Sequence, residues 1–85
     1  MNQVILVGKI AEIKFNGFDL KIPDSVKNEN GEYGYTIVPV ELKGAMLDYI
    51  KNNNIELDKI VGVKGRIQNN FGLVSVEAQK ISFLA

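Results

Sequence analysis

A chain of 85 residues has room for one domain with a single hydrophobic core and leaves none for a second domain. Its composition, 46% hydrophobic and 24% charged without any cysteine, excludes a disordered chain, a disulfide framework and a thiolate metal site. Ten Lys and Arg balance ten Asp and Glu, so the strongly basic total that marks many nucleic-acid-binding proteins is missing.

The first predicted strand begins with an apolar run at residues 4–7, which Gly8 follows. A glycine lets a strand bend sharply, as the strands of a small barrel must. The strand continues loosely through Ile10 and Ile13 to Phe15. The run has no basic lead-in and is too short for a signal peptide or a membrane span, so we expect a cytoplasmic protein without a membrane partner.

A second strand is predicted after the turn dipeptide Asn16-Gly17. Apolar and polar residues alternate there, which indicates one face on the core and one in water. The apolar positions are Phe18, Leu20 and Ile22. Residues 23–32 are rich in Pro, Asp, Ser, Asn and Gly, which satisfy backbone groups locally, so we expect a polar loop over this range.

The third predicted strand, residues 33–42, is apolar on both faces. One face carries Thr36, Val38, Val40 and Leu42, and the other carries Tyr33, Tyr35, Ile37 and Pro39. A short amphipathic helix is then predicted within residues 43–54, because Met46, Leu47, Tyr49 and Ile50 recur at helical spacing before the asparagine run at residues 52–54.

The last two predicted strands form a hairpin that completes the core. In the fourth strand we expect the inward residues to be Val61, Val63, Gly65 and Ile67. Asn69 and Asn70 tolerate positive φ and predict a tight turn before Phe71 and Gly72. In the fifth strand we expect the core residues to be Val74, Val76, Ala78, Ile81, Phe83 and Leu84.

These elements predict an all-β fold: a five-stranded OB-fold barrel, one domain over residues 1–85, with one short helix between the third and fourth strands. Three segments resemble the bacterial single-stranded DNA-binding protein family, which includes primosomal replication protein N-like relatives. They are residues 2–10 (NQVILVGKI), residues 60–68 (IVGVKGRIQ) and the closing residues 77–84. The helix is also similar in its ending, Tyr49-Ile50-Lys51.

The resemblance implies sequence-tolerant binding of single-stranded DNA in replication, recombination or repair, by a homo-dimer or homo-tetramer. RNA is left open as a second ligand. The chain departs from the family in lacking Trp, and Val26 and Pro39 stand where aromatics are common. It also lacks an acidic tail after Ala85, so we expect no tail-based recruitment of protein partners.

OB barrels bind single strands by stacking bases on aromatic side chains and contacting phosphates with cations. The candidate platforms are Tyr33, Tyr35 and Phe71, and the candidate phosphate contacts are Lys9, Lys21, Lys64 and Arg66. Other interpretations stay open for each group. The tyrosines also suit a subunit interface, Phe71 also suits the packing of its hairpin, and Lys64 and Arg66 also suit a solvated strand surface.

Neither catalysis nor a cofactor is expected. The chain has no His and no Cys, and its carboxylates show no paired arrangement. We also expect no metal site: the loop at residues 28–32 suggests a calcium site, but Val26 occupies the position where an EF-hand loop would need its first Asp. Two rival functions remain: a primosomal or accessory OB module whose main role is protein contact, and a barrel that no longer binds nucleic acid.

Overall fold

The computed structural model describes residues 1–52 and 55–85, and these form a closed barrel of five strands with one helix. The elements are β1 Val4–Lys14, β2 Gly17–Lys27, β3 Tyr33–Glu41, α1 Ala45–Asn52, β4 Ile60–Asn70 and β5 Leu73–Phe83. The order around the barrel is β1-β2-β3-β5-β4, and only the β3–β5 pair is parallel. The predicted OB-fold architecture, with its helix between β3 and β4, is therefore confirmed.

The core lies inside the barrel and follows the predicted alternation of apolar side chains. Its buried members are Ile10, Phe18, Leu20, Val40, Leu42, Val61, Val63, Val76, Ala78 and Ile81. The helix α1 packs against the core with Met46, Leu47 and Ile50, three of the four residues predicted by helical spacing, whereas the fourth, Tyr49, is 40% exposed. Asn53 and Asn54, two of the three asparagines predicted to end this helix, lie outside the described residues.

The strand β1 is shared between two neighbours. Its first half pairs with β4 from Val4 to Lys9, and its second half pairs with β2 from Lys9 to Lys14. Gly8 lies where β1 crosses from one neighbour to the other. A Cβ atom on Gly8 would stand 2.5 Å from the carbonyl oxygen of Lys21. The glycine predicted from the sequence as a bend is thus required by close approach of two backbones.

The predicted polar loop at residues 23–32 is wrong in its extent, because β2 continues to Lys27. Pro23 pairs with Tyr35 and Lys27 pairs with Tyr33, with an irregular register between them that removes the need for a continuous ladder at the proline. The turn is confined to residues 28–32. The Asn28 side-chain oxygen accepts hydrogen bonds from the N–H groups of Asn30 (2.9 Å) and Glu32 (3.0 Å), which closes the ribbon.

The predicted inward residues at the far ends of β4 and β5 are not all buried. Ile67 is 47% exposed and Val74 is 58% exposed, and Phe83 and Leu84 are exposed as well. The contact of β3 with β5 is limited to Val40 and Glu41, which pair with Val76 and Glu77. Ile67 pairs with Val76 at the edge of that contact, and Val74 lies on the part of the β4–β5 hairpin beyond it. Since no described strand lies opposite that part of the hairpin, its inner face stays in water.

The β4–β5 turn also differs from the prediction. Positive φ angles occur at Phe71 (54°) and Gly72 (85°), whereas Asn69 and Asn70 remain in β4. Asn69 instead holds the turn, because its side-chain oxygen accepts a hydrogen bond from the Gly72 N–H at 2.8 Å. A bulky residue such as Phe71 is strained in the left-handed region.

Within residues 1–52 and 55–85, no helix is long and apolar enough to cross a membrane.

Candidate nucleic-acid interface

An open groove of about 540 Å³ crosses the outer face of β1, β2 and β3 and reaches the start of β4. Its lining residues are Val7, Gly8, Lys9, Lys21, Pro23, Tyr33, Gly34, Tyr35 and Ile60. Strand register brings them together, since Lys9 pairs with Lys21 and Pro23 pairs with Tyr35. The groove therefore has an apolar floor, a cationic side and an aromatic wall.

The aromatic wall consists of Tyr33 and Tyr35, which are 62% and 58% exposed. They occupy alternate positions of β3 and so share its outer face, as predicted. Gly34 lies between them, and its Cβ direction points to the other face, where a carboxylate oxygen of Asp24 lies 2.9 Å from the site that such an atom would occupy. Thr36 donates a hydrogen bond to that carboxylate at 3.0 Å. The nearest acidic group is thus kept off the tyrosine face.

The cationic side consists of Lys9 and Lys21, and Lys27 adds a third lysine beside Tyr33. The ammonium nitrogen of Lys21 lies 4.2 Å from the centroid of the Tyr35 ring, and that of Lys27 lies 5.4 Å from the centroid of the Tyr33 ring. In the part of the chain that the structure describes, the ion pairs engage other cations and leave these three lysines without a carboxylate. Like charges directly opposite, as at Lys9 and Lys21, destabilise a sheet, so this arrangement invites an anionic ligand.

A second polar cluster lies where the end of β3 meets the middle of β5 and its neighbour β4. We call it the polar clasp, and its members are Glu41, Lys43, Arg66, Gln68 and Glu77. Glu77 accepts ion pairs from Lys43 and Arg66, both at 3.4 Å. Gln68 donates a hydrogen bond to Glu41 at 2.7 Å and accepts one from Lys43 at 3.3 Å. In contrast to the groove, the clasp joins cations and carboxylates in equal numbers.

The clasp shifts the titration of one carboxyl. Partial burial raises the pKa of Glu77, but this is outweighed by the hydrogen bond from Lys43, by attraction to Arg66 and Lys43, and by the hydrogen bond from Arg66. The net result is a pKa below the ordinary range of a glutamic acid. Glu77 therefore stays ionised beside Arg66, and its negative charge offsets the positive charge of that guanidinium group.

The structure brings four of the seven predicted site residues into the groove: Lys9, Lys21, Tyr33 and Tyr35. The other three lie elsewhere. Arg66 belongs to the clasp, Lys64 lies between Ile5 of β1 and Lys80 of β5, and Phe71 is fully exposed at the tip of the β4–β5 hairpin.

Sequence reasoning missed Lys27 and the apolar floor formed by Val7, Pro23 and Ile60. A signal for Lys27 was present, because a turn confined to residues 28–32 would have placed Lys27 opposite Tyr33.

Within the described ranges 1–52 and 55–85, no group of three acidic side chains is arranged to hold a metal ion. Flat exposed rings next to unpaired ammonium groups can instead stack aromatic rings and neutralise anions.

No family model matches the chain, and no curated protein matches it in sequence. Solved structures match it in fold. A deletion mutant of the single-stranded DNA-binding protein from Thermus aquaticus superposes with a TM-score of 0.72 at 20% identity, over 100% of this chain and 51% of that one. The chain thus spans about half the length of the Thermus protein.

Two further structures match over nearly their whole length. The small single-stranded DNA-binding protein from Streptomyces coelicolor has a TM-score of 0.70 at 14% identity, with 98% of this chain and 94% of that one covered. The dimeric N-terminal domain of PriB from Thermoanaerobacter tencongensis has a TM-score of 0.58 at 18% identity, with 99% and 97% covered. At these identities the likeness establishes a shared fold.

Proposed function

We propose that this chain binds single-stranded DNA without sequence preference, in the groove on the outer face of β1, β2 and β3, and that it acts in replication, recombination or repair. The observation that carries the proposal is the composition of that groove: two exposed tyrosines and the lysines beside them, which no carboxylate of the described residues neutralises. In OB folds this face, built on strands 2 and 3, is the one that binds oligonucleotides. The fold shared with single-stranded DNA-binding proteins supports the same ligand.

Each group in the groove has a distinct role in this proposal. Tyr33 and Tyr35 stack bases, which contributes about 1–3 kcal/mol per base. Lys9, Lys21 and Lys27 contact phosphates. With about 0.7 of slope per contact on a single strand, three contacts give a slope of log K against log salt of about −2. Such a shallow dependence agrees with a chain whose formal net charge is zero. Phe71, Lys64 and Arg66, the other predicted contacts, lie outside the groove, and we expect them to contribute little to the binding of DNA.

Titration of oligo-dT against intrinsic tyrosine fluorescence tests the proposal. Stacking on Tyr33 and Tyr35 should quench the emission in a saturable and salt-sensitive way, and Tyr33→Leu with Tyr35→Leu should abolish the quench. Tyr49→Phe, on the helix and outside the groove, is the matched control and should leave it intact. An absence of binding at low salt would refute the proposal. A parallel titration with oligo-rU decides whether RNA is also a ligand.

The proposal includes self-association into a homo-dimer or homo-tetramer. The outer face of β1 presents Ile5, which is 75% exposed, and Val7 beside it. Exposed apolar side chains on one strand face of a small domain favour contact with a second copy. The fold is also shared with a domain that is dimeric. Light scattering should give at least a dimeric mass, and Ile5→Lys should reduce it to that of a monomer. A monomeric wild-type protein at high micromolar concentration would exclude self-association.

A module for protein contact is the second candidate function, and the tip of the β4–β5 hairpin is the observation that favours it. Phe71 and Leu73 are exposed there, next to Val74. Phe71→Ser with Leu73→Ser separates the two functions. If the groove carries the function, the variant binds oligo-dT as the wild type does. If oligo-dT binding is absent from the wild type and the tip variant changes the assembly state, protein contact is the better account.

A further inference from the structure

In the free protein, a lysine ammonium group lies over one face of each tyrosine ring of the groove. The ammonium group of Lys21 stands 4.2 Å from the Tyr35 centroid, and that of Lys27 stands 5.4 Å from the Tyr33 centroid. Both distances are within the range of cation–π attraction, about 6 Å. A base that stacks on the same face of either ring must therefore displace a lysine.

We propose that Lys21 is a positioning residue that caps Tyr35 in the free protein and exchanges with a nucleobase on binding. The base takes the ring face, and the released ammonium group moves to a phosphate of the same strand. This inference rests on the proposed function. It assigns two successive partners to Lys21, the Tyr35 ring in the free protein and a phosphate in the complex. Lys27 stands in the same relation to Tyr33, at the longer distance.

Geometry makes the two occupants of the Tyr35 face exclusive. Stacked aromatic rings place their centroids about 4.5–7 Å apart, and an ammonium group 4.2 Å from the centroid stands within that space. Lys21 reaches the ring from β2, where it pairs with Ile37, the residue two positions beyond Tyr35 on β3. Its flexible four-carbon stem allows the ammonium group to leave the ring without movement of the strand.

Charge explains where the released group goes. Lys9 lies directly opposite Lys21 on β1, and no described carboxylate is within ion-pair distance of either. In the free protein the Tyr35 ring holds the Lys21 charge in place of an anion. A bound phosphate between the two lysines removes their mutual repulsion, and this favours transfer of Lys21 from the ring to the strand.

The exchange predicts an affinity crossover with salt for Lys21→Met, which keeps the length of the side chain and removes its charge. At low salt the variant should bind oligo-dT more weakly than the wild type, because one phosphate contact is lost and the slope is flatter by about 0.7. At high salt, where that contact is screened, the variant should bind about two- to five-fold more tightly, since no cation competes for the ring.

Lys9→Met is the matched control, because Lys9 lines the same groove and makes no ring contact. It should flatten the slope by a similar amount without any gain at high salt. A crossover for Lys21→Met alone supports the exchange. Weaker binding of Lys21→Met at every salt concentration overturns it, because the base then stacks elsewhere while Lys21 stays on the ring. Identical behaviour of the two variants overturns it as well.

A measurement without DNA separates this inference from the proposed function. The Lys21 side-chain methylene protons next to nitrogen should resonate upfield in the free protein, and Tyr35→Leu should remove that shift. A wild-type protein that shows the ring-current shift but does not bind oligo-dT refutes the proposed function and the exchange together, while the capping contact stands. Binding of oligo-dT without the shift refutes the capping contact and leaves the proposed function intact.

Discussion

The groove and the polar clasp both carry cationic side chains on the same barrel, and they differ in whether those cations have carboxylate partners. In the groove, Lys9 and Lys21 face each other with only a tyrosine ring to receive a charge. In the clasp, Lys43 and Arg66 both contact Glu77. The lysines of the groove are available for an anionic ligand, whereas the cations of the clasp are held by carboxylates of neighbouring strands.

This contrast explains how a chain with a formal net charge of zero presents a cationic surface. Acidic residues are not spread evenly over the barrel. Glu41 and Glu77 lie in the clasp, Asp24 lies on the far side of the β2–β3 ribbon, and Asp19 is paired with Lys14 at 3.1 Å. The phosphate contacts are therefore expected where lysines without a described carboxylate partner stand beside the tyrosines of the groove, and the total charge does not reveal this.

The largest expected effect is on the aromatic wall of the groove. Tyr33→Ala with Tyr35→Ala should weaken oligo-dT binding by about 1–3 kcal/mol for each stacked base lost, with little change in salt dependence. Phe71→Ala, which removes an equally exposed aromatic outside the groove, should have a much smaller effect. Fluorescence anisotropy with labelled oligo-dT measures both. Equal losses would extend the site to the hairpin, and dissociation of an oligomer by the tyrosine variant would make this face a subunit interface.

The close approach of β1 to β2 at Gly8 should be sensitive to an added methyl group. Gly8→Ala places a methyl group 2.5 Å from the Lys21 carbonyl oxygen, so we expect a loss of about 1–3 kcal/mol in the free energy of unfolding. Gly62→Ala is the matched control, because the nearest atom to its Cβ would be 3.7 Å away, and its effect should be within about 0.5 kcal/mol. Urea denaturation measures both variants. A neutral Gly8→Ala would mean that β1 and β2 separate more easily than their contact indicates.

The difference in charge between the groove and the rest of the barrel should appear in the salt dependence of oligo-dT binding. Lys9→Met with Lys27→Met should flatten the slope of log K against log salt by about 1.4, which is two contacts at about 0.7 each. Lys64→Met with Arg66→Met, the pair that the sequence predicted but that lies outside the groove, should change the slope much less. A larger flattening from the second pair would move the phosphate path to β4 and away from the groove.

The smallest expected effect is a pH dependence of stability from the clasp. The pKa of Glu77 is lowered in the folded protein, so its stabilising effect is present above the ordinary carboxyl range and disappears as the pH falls through the lowered value. The difference in melting temperature between wild type and Glu77→Gln should therefore shrink as the pH falls below about 4. Glu29→Gln, in the turn between β2 and β3, should show no such trend. A difference independent of pH would exclude an electrostatic role for the clasp.

The sequence predicted the barrel because alternation in β2, β3 and β4 is a local property of the chain. It also placed Tyr33 and Tyr35 on one outer face, since side chains alternate along a strand. It could not show that Arg66 would meet Glu77, because that contact depends on the register between β4 and β5. The exposure of Val74 was equally hidden, because Val74 lies on the part of the hairpin that β3 does not reach. Ile67 pairs with Val76 at the edge of the β3–β5 contact, so its exposure depends on where that contact ends.

Mapping of amide chemical shifts during an oligo-dT titration tests the central claim most directly, because it observes the groove and the clasp in one experiment. The account predicts saturable shifts at Gly8, Lys9, Lys21, Gly34 and Tyr35, with resonances of Gln68 and Glu77 left in place. Shifts centred on the clasp and the β4–β5 hairpin, with the groove unchanged, would contradict it.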